Sequence, residues 1–490
     1  MTLTPVEALR ELLAAEDRDA SPGAAPLVAL AADEDPELRA AVEGVALRVA
    51  ELQRRGVWHG EWAELPHDLP PALGGAKGGA GQRAGADPRA VWRARFDQAR
   101  PIVLPGFVDP DEFRAELDDR MRLFDALQLE AGGLREFLHE ARAALAPEFT
   151  TTSIERLETD RDLERATLLF ERPGSSQRFK DLWVKSAWLS NHDADASLRV
   201  RLSFGREVEN DASRDVARHL AVATLATRLL PECALAHENE VLGRLLHEWV
   251  GGECFLSQHI AYWNAPEGGA LFHHDAFDEP IQGGQRGVVY MQLTGTSAWL
   301  ALSLQDLATR VEEFAAALAE GAAPWIQEAL WPDPTARAAF LHIIAHRHLL
   351  EAELAQPGCG ALAGLVNRGP EFTGWLADAG HAWLLDPGDV IVLPNHGLGA
   401  TCMHSVFCAS DEPGYALSMA IRERRPAAPS RPQEGTTDAA SGLGRDPGGV
   451  VRVGADRRRG RGARRGPSKG TSGGPSGGRN RGPARGARRR

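Results

Sequence analysis

Leu271-Phe272-His273-His274-Asp275 contains a His-x-Asp pair, and Met403-His404-Ser405-Val406 supplies another histidine about 130 positions later. Together, His273, Asp275 and His404 make two imidazoles and one carboxylate. That facial set holds Fe(II) and leaves three coordination positions open. Open positions are where O2 and an oxidisable co-substrate can meet. His-x-Asp alone is common in chains of every kind, so the reading rests on what surrounds it.

The surroundings are strand-like. Cys254-Phe255-Leu256-Ser257-Gln258-His259-Ile260-Ala261-Tyr262-Trp263 has the aromatic and branched content of a strand, and residues 265–269 break it as a turn. Gly287-Val288-Val289-Tyr290-Met291-Gln292-Leu293 reads as the next strand. In the second half, Leu385-Asp386-Pro387-Gly388-Asp389 is a turn, 390–393 a strand, 394–397 another turn, and 415–422 a last strand. On a strand, residues i and i+2 share a face. His273 and Asp275 are therefore expected to reach one ion while His274 points away.

This order resembles the Fe(II)/2-oxoglutarate-dependent oxygenases, with the phytanoyl-CoA hydroxylase-like and Jumonji-type branches as the nearest in pattern. The Pro-Gly-Asp turn, short strand, Pro and then His of 387–404 carry the resemblance. So does Arg100-Pro101-Ile102-Val103-Leu104-Pro105-Gly106-Phe107 followed by Asp109-Pro110-Asp111-Glu112-Phe113. It covers roughly residues 95–425. It implies an α+β chain with a double-stranded β-helix (cupin, jelly-roll) core buttressed by helices. It also implies Fe(II) on His273, Asp275 and His404, with 2-oxoglutarate and O2 as co-substrates. The activity implied is hydroxylation of a prime substrate, a protein, peptide or bulky metabolite, coupled to oxidative decarboxylation of the 2-oxo acid.

The chain departs from the family where the co-substrate would bind. Many relatives place an arginine roughly ten residues after the second histidine, yet 405–417 holds no Arg or Lys. Arg422 is the first in-strand cation beyond it, and a guanidinium fork meets a carboxylate bidentately. Arg286 is the rival and matches the Jumonji-type placement, while Arg424 lies nearer the strand end. Tyr262, Tyr290 and Ser418 offer hydroxyls. The competing view is that Arg422 serves only a structural ion pair.

Other candidate ligands have plainer readings. Cys402 reads as a buried thiol, and His259, His274 and His396 as ordinary polar or supporting residues. His342, His346 and His348 lie at helical spacing without the acidic residue of a zinc-protease motif, which favours an exposed helix face.

Composition sets the frame. The chain has 490 residues, 43% hydrophobic and 25% charged, enough for a large globular core. No apolar run is long enough to span a bilayer, and the start of the chain lacks the features of a secretion signal. Five cysteines without a Cys-x-x-Cys pair point to reduced thiols and a cytoplasmic setting. The net charge of −13 is divided: residues 426–490 hold 16 Lys+Arg against 4 Asp+Glu, which leaves −25 on residues 1–425.

That Gly/Arg-rich segment has too little apolar content to offset its ordering entropy and is expected to be a disordered basic tail. It suits contact with nucleic acid or an acidic partner, or serves as a solubilising tail. Residues 1–65 read as helical, 66–88 as a flexible linker and 89–425 as the oxygenase domain. A helical insertion at about 304–380 separates the ligand motifs and is expected to cover the metal mouth. Two other classes share these residues: a cupin-fold metalloenzyme that uses no 2-oxoglutarate, and a non-catalytic binding protein working through its tail.

Overall fold

A computed structural model describes residues 88–424 apart from 130–132, 158–161, 189–198, 207–214, 267, 278–282, 320–333, 356–361, 363–364 and 367–369. The expectations for 1–65, for most of 66–88 and for the basic tail lie outside the described residues. The described part is α+β with two large antiparallel sheets.

The larger sheet has nine strands in the order β1-β11-β8-β13-β6-β5-β4-β3-β2. These are β1 (Ile102–Leu104), β2 (Phe149–Arg156), β3 (Asp162–Glu171), β4 (Arg178–Trp188), β5 (Arg199–Arg206), β6 (Cys254–Asn264), β8 (Gln285–Thr294), β11 (Val390–Pro394) and β13 (Gly414–Glu423). The smaller sheet, in the order β10-β9-β12-β7, contains β7 (Gly269–His273), β9 (Ser297–Ser303), β10 (Ala382–Leu385) and β12 (Cys402–Cys408). From β6 onward the chain passes back and forth between the sheets, giving a jelly-roll-like sandwich.

Period-2 alternation assigns each strand's faces. On β9, Trp299 and Ala301 point between the sheets, where they meet Val103, Tyr290, Ile391 and Ala416 of the larger sheet. Ala298, Leu300 and Leu302 point the other way, onto the helices Leu304–Ala319, Pro334–Ile344 and Arg347–Leu354. Every residue of β9 and β12 is therefore buried. The outer face of the larger sheet, with Leu182, Val184, Leu417 and Met419, packs on helices Arg114–Leu129, Val216–Leu229 and Glu240–Val250. In the last of these, Val241, Leu242, Leu245, Leu246 and Trp249 form one buried stripe at helical spacing. The Asn239 side chain caps its start by accepting from Leu242 N, and Gly251 at φ 76° ends it.

The Pro-Gly-Asp turn is a clasp. Asp389 accepts from Gly106 N at 2.7 Å and from Asp386 N at 2.9 Å, while Phe107 N donates to Gly388 O. Gly388 sits at φ 97°, and a Cβ there would meet Val108 O at 2.7 Å, so a side chain would open the clasp.

One expectation needs correction, and one stretch of sheet was not foreseen. Strands β2 to β5 were not anticipated, yet they extend the larger sheet by four. Within the described residues the insertion helices back the smaller sheet's outer face, and Ala355 O of the insertion meets His274 beside the candidate site. Finally, β7 ends at His273, so Asp275 lies beyond it in a non-strand segment and the shared-face argument does not place it.

Candidate metal centre

The ladder between β7 and β12 sets the two imidazoles. His404 is paired directly with His273, and their ring centroids are 4.2 Å apart. A bulge in β7 and the close approach of Gly269 to Val406 O, where any Cβ would collide at 2.0 Å, hold that register. His404 is 3% exposed and lies against the Trp299 indole, with centroids 5.7 Å apart.

Each imidazole is oriented by a main-chain carbonyl two residues earlier. His273 Nδ1 donates to Leu271 O at 2.8 Å, and His404 Nδ1 to Cys402 O at 3.3 Å. A carbonyl only accepts, so Nδ1 carries a proton in both rings, and Nε2 is the atom that the neutral imidazole offers to a metal. Burial, reinforced by neighbouring His273, holds His404 down at about 3, against the pull of Asp275. It is neutral across the physiological range, the state a metal ligand needs.

Asp275 completes the group. One donor atom each from His273, Asp275 and His404 lies within 4.8 Å of the others, and His404 Nε2 is 3.7 Å from Asp275 Oδ2. Ligands bound side by side at ~2.1 Å are about 3 Å apart, so a small closure of side chains would bring these donors onto one ion. Among the described residues no other His, Cys, Asp or Glu set meets this test. The donor chemistry suits a divalent first-row metal with open positions.

The segment carrying Asp275 is held by side chains that sequence reasoning missed. Asp275 O accepts from Asn395 Nδ2 at 2.9 Å and from Gln285 Nε2 at 3.1 Å. His274 points off the site. Its Nε2 donates to Ala355 O at 2.8 Å, and its Nδ1 accepts from Ala276 N at 3.1 Å. The only sequence signal for Asn395 was its place in the 394–397 turn, and for Gln285 there was none.

The candidate co-substrate residues fall into two groups. Tyr262 and Tyr290 stack at 6.5 Å on the inner face of the larger sheet, and Ser418 is paired with Tyr290 across β13 and β8. Tyr290 packs edge-on to Trp299 at 4.7 Å and donates to Gln292, whose Oε1 also accepts from Ser297. These residues line the space into which His404 projects. Arg422 is 1% exposed, with Nε on Ser257 Oγ at 2.9 Å and Nη1 on Gly283 O at 3.1 Å. It sits opposite Gln285 in the β13–β8 pairing. Arg286 is half-buried and paired with Glu423. Arg424 lies past the end of β13, exposed, on Glu253.

The remaining histidines and thiols have other partners. His259 faces away from the site and meets His237, Nε2 to Nε2 at 2.6 Å. His396 Nε2 contacts Phe96 O. His342 and His346 are exposed. The Cys402 thiol is buried, and burial pushes its pKa up. No described helix is long and apolar enough to cross a membrane.

No protein-family model and no curated protein matches the chain. Among solved structures it is similar to the ribosomal oxygenase YcfD of Escherichia coli. That match has 14% identity and a TM-score of 0.22, and covers 68% of this chain and 51% of that one. It is also similar to a 2OG-Fe(II) oxygenase family oxidoreductase from Burkholderia pseudomallei, at 11% identity and TM-score 0.22, covering 70% and 98% of the two chains. A third is the non-heme α-ketoglutarate-dependent epimerase SnoN from nogalamycin biosynthesis, at 15% identity and TM-score 0.25, covering 69% and 84%. The chain thus spans about half the length of the E. coli protein.

Proposed function

We propose that this chain is an Fe(II)/2-oxoglutarate-dependent oxygenase whose sandwich is a double-stranded β-helix and whose prime substrate is hydroxylated. One observation carries the reading: two imidazoles, each oriented through Nδ1 by a main-chain carbonyl, and one carboxylate offer donor atoms within 4.8 Å of one another. His273, Asp275 and His404 would hold the iron. Bound there, iron would supply activation of O2 with the 2-oxo acid as reductant.

The chain's own residues then have defined tasks. The carbonyls of Leu271 and Cys402 keep both imidazoles pointing inward. Trp299, Tyr290 and Ala301 wall the site against water. Arg422, buried on the strand that also carries Ser418, is the better anchor for a dianionic 2-oxo acid, whereas Arg286 is only half-buried and paired with Glu423. Ser418, Tyr262 and Tyr290 would add hydroxyl contacts.

The deciding experiment is metal content of the purified chain together with succinate release from 2-oxoglutarate in the absence of a prime substrate. Bound iron with succinate supports this function. Iron without succinate, even with Arg422 intact, moves the chain to the cupin metalloenzymes that use no 2-oxo acid. Failure to bind any divalent metal overturns the enzyme reading.

A further inference from the structure

The three donors are not held alike. His273 and His404 lie on paired strands, so ladder hydrogen bonds fix their backbones. Asp275 has left β7, and its side chain is 39% exposed. A carboxylate on a free segment would cost ordering entropy each time it joined a metal. Something other than the ladder has to supply its position.

Two buried amides meet its main-chain carbonyl. Gln285 is 1% exposed and Asn395 2% exposed, and both donate to Asp275 O. A carbonyl has two lone pairs, and here both are used. The amides come from the larger sheet, Gln285 at the start of β8 and Asn395 just past the end of β11, so the carboxylate-bearing segment is referenced to the opposite side of the sandwich. Asn395 does more. Its backbone N donates to Arg286 O at 2.9 Å, and it forms an isolated bridge with Thr401, immediately before β12. One residue thereby fixes the Asp275 carbonyl and the entry of the strand that carries His404.

We infer that Gln285 and Asn395 are positioning residues that preorganise Asp275 as the third ligand, and so set the affinity and geometry of the metal site. The inference rests on the metal-binding reading above. Supporting residues of this kind typically govern 10–100-fold in metal affinity. Asn395, with its additional backbone role, is expected at the upper end.

The test uses the full chain, stripped with a chelator and titrated with Co(II), whose visible band reports ligand geometry without turnover. Asn395→Ala and Gln285→Ala should each weaken Co(II) about 10–100-fold and shift the band. Asn395→Asp keeps the shape but presents only acceptors to the Asp275 carbonyl, so it should lose affinity as Ala does. Leu417→Ala, a buried core change away from the site, should lower the melting temperature with the Co(II) band unmoved. Should Asn395→Ala fail to fold, Gln285→Ala and Asn395→Asp carry the test. Wild-type binding with both amide variants within twofold of it overturns this inference alone. Wild type that binds no Co(II) removes the metal reading and this inference with it.

Discussion

His404 stands directly opposite His273 across the β7–β12 ladder, 131 positions away in sequence, and backbone register sets the distance between their rings. Strand register moves in steps of one residue, and a one-step slip turns every side chain to the other face. The imidazole pair is therefore either in place or absent.

His404→Ala and Asp275→Ala should each abolish metal binding while the chain stays folded. Their stability costs should differ. His404 is buried, and its loss should cost about 1–3 kcal/mol, whereas the carboxylate of Asp275 is largely outside the core and should cost under about 0.5 kcal/mol. Metal content and denaturant midpoints check both. Retention of stoichiometric metal by either variant would exclude this ligand set.

His274→Ala should behave in the opposite way. It leaves Ala276 N and Ala355 O without their imidazole partner, at a cost of about 1–3 kcal/mol, yet it keeps the donors. Metal should still bind. Loss as complete as that of His404→Ala would show that the ligand register is wrong.

Arg422→Ala and Arg286→Ala separate the two candidate co-substrate anchors. Removing a buried charged partner costs about 3–5 kcal/mol, several hundredfold in affinity, so Arg422→Ala should raise the 2-oxoglutarate requirement steeply with iron still bound. Arg286→Ala breaks a half-exposed pair with Glu423 and should change little, about 1 kcal/mol or less. The reverse pattern in succinate assays would move the co-substrate to Arg286.

Acid should destabilise the fold before most carboxylates titrate. Burial, with the charges of Arg206, Arg422 and Arg218, holds His219 at about 3. Burial, with Arg310, holds His381 at about 4. Burial also lowers His237, and burial with the neighbouring imidazoles of His237 and His219 lowers His259. Each native pKa is below its unfolded value, so the unfolded chain binds more protons in that range. Stability is full above about pH 6.5 and falls as pH drops through 6.5 toward 5. Urea midpoints at pH 7.5, 6.5 and 5.5 test this; a flat profile would mean that these imidazoles are not buried and neutral.

Legibility in the sequence varied with the physics. Strands β6, β8, β11 and β13 showed because hydrophobic runs bounded by Gly/Pro turns leave a local trace. The donor identities showed because His-x-Asp and a distant His form a chemical set. Strands β2 to β5 carry the period-2 signal too, as in Leu182, Val184 and Ser186 buried beside half-exposed Trp183 and Lys185. Charged residues such as Glu164, buried and accepting from Leu134 N, disguise it. Asp275 was expected on a strand because nothing local marks where β7 stops. The Gln285 and Asn395 clamps were invisible, since an amide declares no partner until tertiary structure supplies one.

The pairing of β7 with β12 also governs when the site comes into being. No contiguous stretch shorter than 132 residues contains all three donors, and the insertion helices lie between them. Closing so long a loop is entropically costly and comes with slow, non-local contacts. A chain emerging from the ribosome therefore holds His273 and Asp275 long before it holds His404. The complete set of donors for the proposed metal arrives only as the sandwich closes. Assembly order thus keeps that metal's chemistry away from an unfinished chain.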